Sequence, residues 1–303
     1  MNDRILELGD TVRSVSVRND LLVIEADGAQ VTLPLGDVAV AVVSHPAIRI
    51  SGAAIAQSAA TGASWVFCGA NHAVSSLCLP LEGNTTQAER FLAQARASVP
   101  LMKRCWQAVV KAKVRSQAAL LSELGRDGSD LLCLASRVRS GDQSGIEAQA
   151  ARLYWSRLFA DGTFRRERTR DDQNRFLNYG YAVLRAITGR AICAAGLHPG
   201  LGIHHHNRYS AFCLADDLME PFRAIVDRTV VDVVAAHGPT APLDRVVKAE
   251  LLSFASAKYV LGGERRSLFD VVNKLASSLV GVFEGKLKGL ALSVVQPNPM
   301  PDV

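Results

Sequence analysis

The feature that most constrains the fold is a change in hydrophobic periodicity near Pro80. From Thr11 onward, apolar residues such as Val15 and Val17 alternate with polar ones, which is the period of a half-buried strand. Beyond about Thr86, apolar residues recur every three to four positions, which is the period of an amphipathic helix. The sequence therefore predicts an α+β fold, with a small N-terminal β-rich domain followed by a larger all-helical domain.

Turn signals divide the N-terminal part into strands. Asn19-Asp20 and Asp27-Gly28 are typical of tight turns between antiparallel strands. Residues 38–43 and 64–67 are predicted to be further strands, and the alanine-rich residues 53–60 a short helix between them.

A linker-like stretch, residues 80–86, separates the two predicted domains, which we place at residues 1–80 and 86–295. Thr86 is followed three positions later by Glu89, and this spacing predicts a capping box that opens a long helix. A proline-rich stretch follows the helical domain.

Composition excludes several classes of protein. The 303 residues are 49% hydrophobic, and no run of about eighteen apolar residues predicts a membrane span. The first residues lack the basic-then-apolar order of a secretory signal. Six cysteines without CxxC spacing argue against zinc ribbons and disulfide frameworks, and favour a reducing cytoplasm. A formal net charge of +5 permits a polyanionic partner without demonstrating one.

Candidate metal ligands are concentrated in one short window. Three consecutive histidines, His204, His205 and His206, are followed by Asp217 and Glu220. Imidazole nitrogens and carboxylate oxygens bind Mn²⁺, Zn²⁺ or Fe²⁺, and Mg²⁺ favours the oxygens. On a helix, the i, i+3 spacing would place both carboxylates on one face. The residues alone leave open whether the two acids bind a cation or cap a helix, and which histidine is a ligand.

A third candidate carboxylate, Glu147, lies near the start of a helix predicted over residues 145–155. Ser144 and Glu147 also have the spacing of a capping box, so a purely structural role is open. For Glu220, the capping role is limited by Pro221, which tends to end or kink a helix that has just begun.

Basic residues cluster in a first helical segment without any acid among them: Lys103, Arg104, Lys111, Lys113 and Arg115. At 100° per residue, Lys111 and Arg115 each fall within about 20° of Arg104. This face could bind DNA phosphates, or it could simply be solvated.

A second basic segment, between Arg152 and Arg175, has seven arginines against four acids. It includes Arg165 and Arg166, which we predict to bind DNA, because the guanidinium group suits bidentate phosphate contact. Exposure to solvent without a ligand is again the alternative.

Several motifs, taken in order, carry a family resemblance. They are Ile146-Glu-Ala-Gln-Ala-Ala-Arg-Leu-Tyr-Trp155, Asn174-Arg-Phe-Leu-Asn-Tyr-Gly-Tyr-Ala-Val-Leu184, Ala195-Gly-Leu-His-Pro199, Gly202-Ile-His-His205 and Leu214-Ala-Asp-Asp-Leu-Met-Glu-Pro-Phe-Arg223. In order and spacing, the sequence resembles the CRISPR-associated endonucleases that integrate spacers, the Cas-one family, over roughly residues 10–290. The last motif and the chain length resemble the branch found with type II systems.

The resemblance implies that the helical domain is catalytic and that Glu147, His205 and Glu220 bind one ion, Mg²⁺ or Mn²⁺. It implies that Asp217 assists in the same site. His205, rather than its neighbours, matches the histidine of the family's glycine-apolar-x-histidine pattern. Many branches have aspartate at the position of Glu220, and the longer side chain here would shift the ion by about one bond.

The resemblance also implies the reaction and the partners. The expected activity is insertion of spacer DNA into a CRISPR array, in which a 3′-hydroxyl attacks the ends of the repeat. The expected partners are double-stranded DNA, a second copy of the chain, and the small second CRISPR-associated protein of the Cas-two family, with no membrane involved.

Two other functions share part of this pattern. A metal-dependent phosphohydrolase that acts on small phosphate esters would need the ligands without an extended basic surface. A non-enzymatic DNA-binding scaffold would need the basic helices without the ion. Metal-dependent strand transfer on a branched duplex would distinguish these three functions.

Overall fold

The fold is described by a computed structural model that covers residues 4–69, 74–80, 84–160, 162–261 and 264–292. Most strands lie in the N-terminal part of the chain and most helices follow them. This order confirms the predicted α+β fold class. The first strands are β1 Arg4–Leu8, β2 Val12–Arg18, β3 Leu21–Ala26, β4 Ala29–Pro34, β5 Val38–Val43, β6 Arg49–Ile50, β7 Ser64–Cys68 and β8 Val74–Cys78, with helix α1 Gly52–Ala60 between β6 and β7.

The later part of the chain is built mainly from helices: α2 Gln87–Ala95, α3 Val99–Glu123, α4 Ser129–Arg137, α5 Ile146–Leu158, α6 Asn174–Ala194, α7 Cys213–Met219, α8 Arg223–His237, α9 Arg245–Ser256 and α10 Leu268–Phe283. It also contains a two-stranded hairpin, β9 Lys258–Leu261 with β10 Glu264–Ser267, which the sequence analysis does not anticipate. The domain boundaries remain a prediction, and the one at residue 295 lies outside the described residues.

The predicted tight turns build the first sheet, whose order is β4-β3-β2-β6. Asn19 and Asp20 both have positive φ, 51° and 59°, as a two-residue turn between β2 and β3 requires. Gly28 has a φ of 74° in the turn between β3 and β4, where a residue without Cβ is favoured. Both turns join antiparallel strands, which confirms the hairpin predicted at Asp27-Gly28.

The second sheet, in the order β1-β5-β7-β8, lies between the first sheet and the helices. β1, β5 and β7 are parallel, and every residue of β5 is buried. Along β5, Val40 and Val42 belong to the core shared with the helices, whereas Ala41 and Val43 pack with the first sheet. The continuous apolar run of β5 is typical of a parallel strand that is covered on both faces.

The helical part surrounds α6, which is buried along most of its length. A Cβ added to Gly180 of α6 would lie 2.5 Å from Cγ1 of Val226 in α8, so these helices cross at close range. α3 packs against α4, α5 and α8, and also against the 3₁₀ turn Glu220–Phe222 between α7 and α8.

Two expectations about helix α2 are wrong. Thr86 makes no side-chain capping hydrogen bond, because its hydroxyl donates to Oδ1 of Asn84 at 2.9 Å instead. The helix that follows has nine residues and is therefore short rather than long.

No helix within the described residues has the length and apolar character needed to cross a membrane. All six cysteines are free thiols.

Candidate active site

Four segments bring ionisable side chains to one place. Lys113 comes from the middle of α3 and Glu147 from the first turn of α5. His205 lies in the loop before α7, and Glu220 begins the 3₁₀ turn that follows α7. Pro221 has no N–H to continue the helix, and it interrupts the helical course at the expected point.

Lys113 joins two of the predicted metal ligands. Its Nζ lies 2.6 Å from Oε1 of Glu147 and 2.6 Å from Oε2 of Glu220. The two carboxylate oxygens are therefore within about 5 Å of each other. The side chains of Lys113 and Glu220 are 10% and 5% exposed, whereas that of Glu147 is 26% exposed. Glu147 and Glu220 thus converge on the buried ammonium group of Lys113.

Arg223 completes the charge balance around Glu220. Its Nη2 lies 2.9 Å from Oε1 of Glu220. Burial alone would raise the pKa of Glu220, but Arg223 and Lys113 outweigh this effect and lower the pKa to about 2. Burial would lower the pKa of Lys113, but Glu220 and Glu147 raise it above its ordinary value. Lys113, Glu220 and Arg223 are therefore charged at neutral pH.

His205 is paired with a buried aspartate. Its Nδ1 lies 2.6 Å from Oδ1 of Asp217, which is fully buried. The hydrogen bond to Asp217 raises the pKa of His205 against the opposing effect of burial, and the charges of Glu220 and Glu147 act in the same direction as the hydrogen bond. With Nδ1 engaged in this way, Nε2 is the ring nitrogen left for another partner.

Asp217 also organises the histidine loop, and it does not cap its own helix. It lies inside α7, and its Oδ2 accepts hydrogen bonds from the backbone N–H groups of Ile203 at 2.7 Å and His204 at 2.9 Å. Gly202 lies against this carboxylate, and an added Cβ would be 2.9 Å from Oδ2 of Asp217. The loop can approach Asp217 this closely because residue 202 has no side chain.

The three histidines have different surroundings. The ring of His204 is stacked on Trp106, with centroids 4.1 Å apart and an interplanar angle of 1°. Burial lowers the pKa of His204. His206 is exposed. His205 is the histidine held by a buried carboxylate, which is typical of a metal-binding imidazole.

Glu147 does not form the capping box that its spacing with Ser144 allows. The N-cap of α5 is Gly145, in a left-handed conformation with a φ of 61°. The carboxylate of Asp142 accepts hydrogen bonds from the backbone N–H groups of Ile146 and Glu147, each at 2.9 Å. Asp142 therefore caps the helix, and the side chain of Glu147 is free to point at Lys113.

The donor set suits a divalent ion, although the side chains do not form a ready-made metal site. Within the described ranges, no group of three His, Cys, Asp or Glu side chains is disposed to hold a metal ion. However, Glu147 and Glu220 already share the ammonium group of Lys113. His205 is close enough for the charges of these two glutamates to raise its pKa. Two carboxylates and an imidazole are suitable ligands for Mn²⁺, and the oxygens for Mg²⁺.

Arginines line the space beside this cluster. A cavity of about 240 Å³ is bordered by Lys113, Glu220, Arg166 and Arg223, and a neighbouring one of about 260 Å³ shares the two arginines. Arg166 donates hydrogen bonds to amide oxygens, those of Asn174 at 2.9 Å and Asn178 at 2.8 Å. Since these partners are neutral, they leave the charge of Arg166 available to an anion.

The other predicted DNA-binding residues lie differently. Arg104 and Arg115 are exposed and Lys111 is partly buried. From the helical spacing, all three lie roughly 160–200° around α3 from Lys113. Arg165 is exposed. Among the predicted DNA-binding residues, Arg166 therefore borders the carboxylate cluster, and the basic face of α3 points away from it.

Three residues of this site, Lys113, Arg223 and Trp106, are not predicted from the sequence. Lys113 looks like one member of a basic run, but it lies seven residues from Trp106 and hence on the same face of α3. A lysine two turns from a tryptophan on an apolar face is the signal that could have identified it. Arg223 is the last residue of the motif that begins at Leu214, and the sequence alone predicts no role for it.

The fold and the site together define a class: an α+β protein whose carboxylate cluster around Lys113 adjoins arginine-lined cavities suited to phosphate groups. The family model described as CRISPR associated protein Cas1 matches residues 10–241, and the chain belongs to this family. A CRISPR-associated endonuclease Cas1 from Neisseria meningitidis serogroup C (strain 8013) is 32% identical over 289 residues, 93% of each chain.

Solved structures share the fold. A casposase bound to integration product is similar with a TM-score of 0.76 and 20% identity, over 96% of this chain and 92% of that one. A Cas6-RT-Cas1–Cas2 complex is similar with a TM-score of 0.73 and 15% identity, over 93% of this chain and 35% of that one. At these identities the likeness concerns the fold alone.

Proposed function

We propose that this protein is a metal-dependent DNA endonuclease and integrase that inserts spacer DNA into a CRISPR array by phosphodiester transfer. The observation that carries the proposal is the convergence of Glu147 and Glu220 on one buried cation beside His205. When bound by these three residues, Mg²⁺ or Mn²⁺ would supply Lewis-acid activation of a phosphate oxygen.

The protein's own groups would position and neutralise the reacting DNA. Asp217 holds Nδ1 of His205 and so orients the imidazole, which assigns it a supporting role in the site. Arg223 keeps Glu220 ionised, and together with Arg166 it offers positive charge to the phosphates. The nucleophile would be the 3′-hydroxyl of the DNA fragment, or water in the nuclease reaction, so no protein nucleophile is needed.

The proposed partners are double-stranded DNA, a second copy of the chain and a Cas-two-type protein. The arginine-lined cavities support a polyanionic substrate. Similarity in fold to a structure named as a Cas6-RT-Cas1–Cas2 complex supports the protein partner. Light scattering of the purified chain, alone and with the partner, would measure both assemblies.

The test is strand transfer of a 3′-hydroxyl DNA fragment into a branched duplex containing a CRISPR repeat. We expect products with Mn²⁺ or Mg²⁺ and none with a chelator. The E147A variant should lose at least about 100-fold of the product, because one carboxylate of the cation centre is gone. Its circular dichroism and its affinity for DNA should remain unchanged.

The matched control is E89A, which removes an exposed glutamate from the first turn of α2. It should retain full activity. Chelator-resistant strand transfer, or full activity in E147A, would overturn the proposal. Hydrolysis of small phosphate esters without strand transfer would indicate a phosphohydrolase, and DNA binding without any reaction would indicate a scaffold.

A further inference from the structure

The position of Lys113 has a consequence for metal binding. Its Nζ lies 2.6 Å from an oxygen of Glu147 and 2.6 Å from an oxygen of Glu220. A divalent ion bound by the same two carboxylates would lie about 2.0–2.6 Å from their oxygens. The ammonium and the ion would therefore require nearly the same place.

We propose that Lys113 is a built-in counter-cation that competes with the divalent ion for Glu147 and Glu220 and leaves them when the ion binds. The inference rests on the proposed function in taking these two carboxylates as metal ligands. In the metal-free protein the ammonium of Lys113 neutralises the two carboxylates that the ion would otherwise bind.

Charge explains why such a group is needed. Glu220 is almost fully buried, and two carboxylates within about 5 Å of each other repel strongly where water is excluded. Arg223 neutralises Oε1 of Glu220, whereas Lys113 approaches Oε2 of the same residue. Lys113 is the cation that contacts both acids, so it keeps them in a convergent arrangement.

The structure also provides a place for the displaced ammonium. Lys113 borders the cavity of about 240 Å³ that Arg166 and Arg223 line. The lysine side chain has a flexible four-carbon stem and can swing without moving α3. In the cavity the ammonium would add to two guanidinium groups, so an anion such as a DNA phosphate would favour its release from the carboxylates.

The first experiment measures Mn²⁺ affinity by electron paramagnetic resonance on the full-length, metal-depleted protein. Wild type is compared with K113M, which keeps the length of the side chain without its charge, and with K111M as the matched control on the same helix. We expect K113M to bind Mn²⁺ at least about tenfold more tightly than wild type, because no ammonium has to be displaced. K111M should stay within about twofold of wild type, since Lys111 lies on the opposite face of α3.

The second experiment needs no variant, so it remains valid if K113M does not fold. Lysines of the wild-type protein are labelled with an amine-reactive reagent, with and without Mn²⁺, and quantified by mass spectrometry. Labelling of Lys113 should rise at least about fivefold with Mn²⁺, because a salt-bridged, buried amine becomes accessible. Lys111 reports any general change in reactivity.

The outcomes separate this inference from the proposed function. If wild type and K113M bind Mn²⁺ equally, or if K113M binds it more weakly, Lys113 does not compete with the ion and the inference is wrong while metal dependence stands. Unchanged labelling of Lys113 at saturating Mn²⁺ leads to the same conclusion. If neither protein binds Mn²⁺, the proposed metal dependence fails, and the inference fails with it.

Discussion

Nδ1 of His205 lies 2.6 Å from Oδ1 of Asp217, a carboxylate with no exposed surface. The same carboxylate accepts hydrogen bonds from the backbone of the loop that carries His205. Asp217 therefore fixes both the course of the loop and the orientation of the imidazole. The variant D217N, which removes the charge of this side chain and keeps its size, tests both roles.

We expect D217N to shift the pH dependence of Mn²⁺ binding to lower pH. The hydrogen bond to Asp217 raises the pKa of His205 above its ordinary value of about 6.5. In wild type, protons therefore begin to compete with the ion for His205 at a higher pH than for an ordinary histidine. Asparagine keeps the size of the side chain but removes its charge and one of its two acceptor oxygens, so the pKa of His205 should fall. Affinity at pH 8 should also drop by about 10–100-fold. Mn²⁺ titrations from pH 5.5 to 8.5 measure both effects, and an unchanged midpoint would contradict the role of Asp217.

Asp227 should make stability depend on pH. Asp227 is fully buried, and its carboxylate accepts hydrogen bonds from the hydroxyl groups of Tyr154, at 2.6 Å, and Tyr181. Burial raises the pKa of Asp227 to about 6 despite these hydrogen bonds. Because the folded pKa exceeds the unfolded one, its favourable contribution is complete below about pH 4 and is lost as the pH rises through about 6.

The variant D227N should remove this dependence. The difference in unfolding free energy between wild type and D227N should change by about 3 kcal/mol between pH 4 and pH 7, with wild type losing relative to the variant as the pH rises. Urea denaturation at both pH values provides the measurement. A difference that is constant with pH would show that Asp227 is ionised throughout this range.

Adding one methyl group at Gly202 should disturb the site. In G202A the new Cβ would be 2.9 Å from Oδ2 of Asp217 and 3.0 Å from Cβ of Cys213. We expect a loss of about 2 kcal/mol in unfolding free energy, typical of overpacking, together with weaker Mn²⁺ binding. G52A is the control, because nothing lies within 4 Å of a Cβ at that position. Equal stability of the two variants would show that the loop can move away.

The basic face of α3 gives a separate test of DNA binding. Replacing Arg104, Lys111 and Arg115 with alanine should weaken duplex binding with little dependence on sequence and should flatten its salt dependence. Each lost phosphate contact lowers the slope of log K against log salt by about 0.9. Fluorescence anisotropy at several salt concentrations provides the measurement.

The comparison variant for this face is R166A. Since Arg166 borders the carboxylate cluster and Arg104 does not, R166A should reduce strand transfer more than it reduces duplex affinity. R18A, at the exposed end of β2, is the control for removing one charge. If the triple variant binds DNA with an unchanged salt slope, the face of α3 is only solvated.

The sequence predicts those parts of the fold that depend on neighbouring residues. The turns at Asn19-Asp20 and Asp27-Gly28 are local, so their conformations follow from residue type. The parallel pairing of β1 with β5 is not local, and period-two patterning carries no information about strand direction. The cap expected at Thr86 is absent because Asn84 competes for its hydroxyl.

The site shows the same division. Glu147, His205 and Glu220 can be selected from motifs, because motifs record residue types in order. The role of Lys113 depends on which face of α3 is buried and on which acids reach it from α5 and the 3₁₀ turn. Those distances arise only when helices far apart in the chain pack together, so a lysine within a basic run looks solvated until the fold is known.

The two-sided burial of β5 means that the two predicted domains share part of their packing. A fragment beginning after Pro80 would expose the helical surface that now rests on Val40, Val42 and Val66. Such a fragment would tend to aggregate. An isolated N-terminal fragment would lose the helices that cover one face of β5. The stability of each part should therefore depend on the presence of the other. Mutations in the strands would thereby change the amount of active protein in the cell without touching the site.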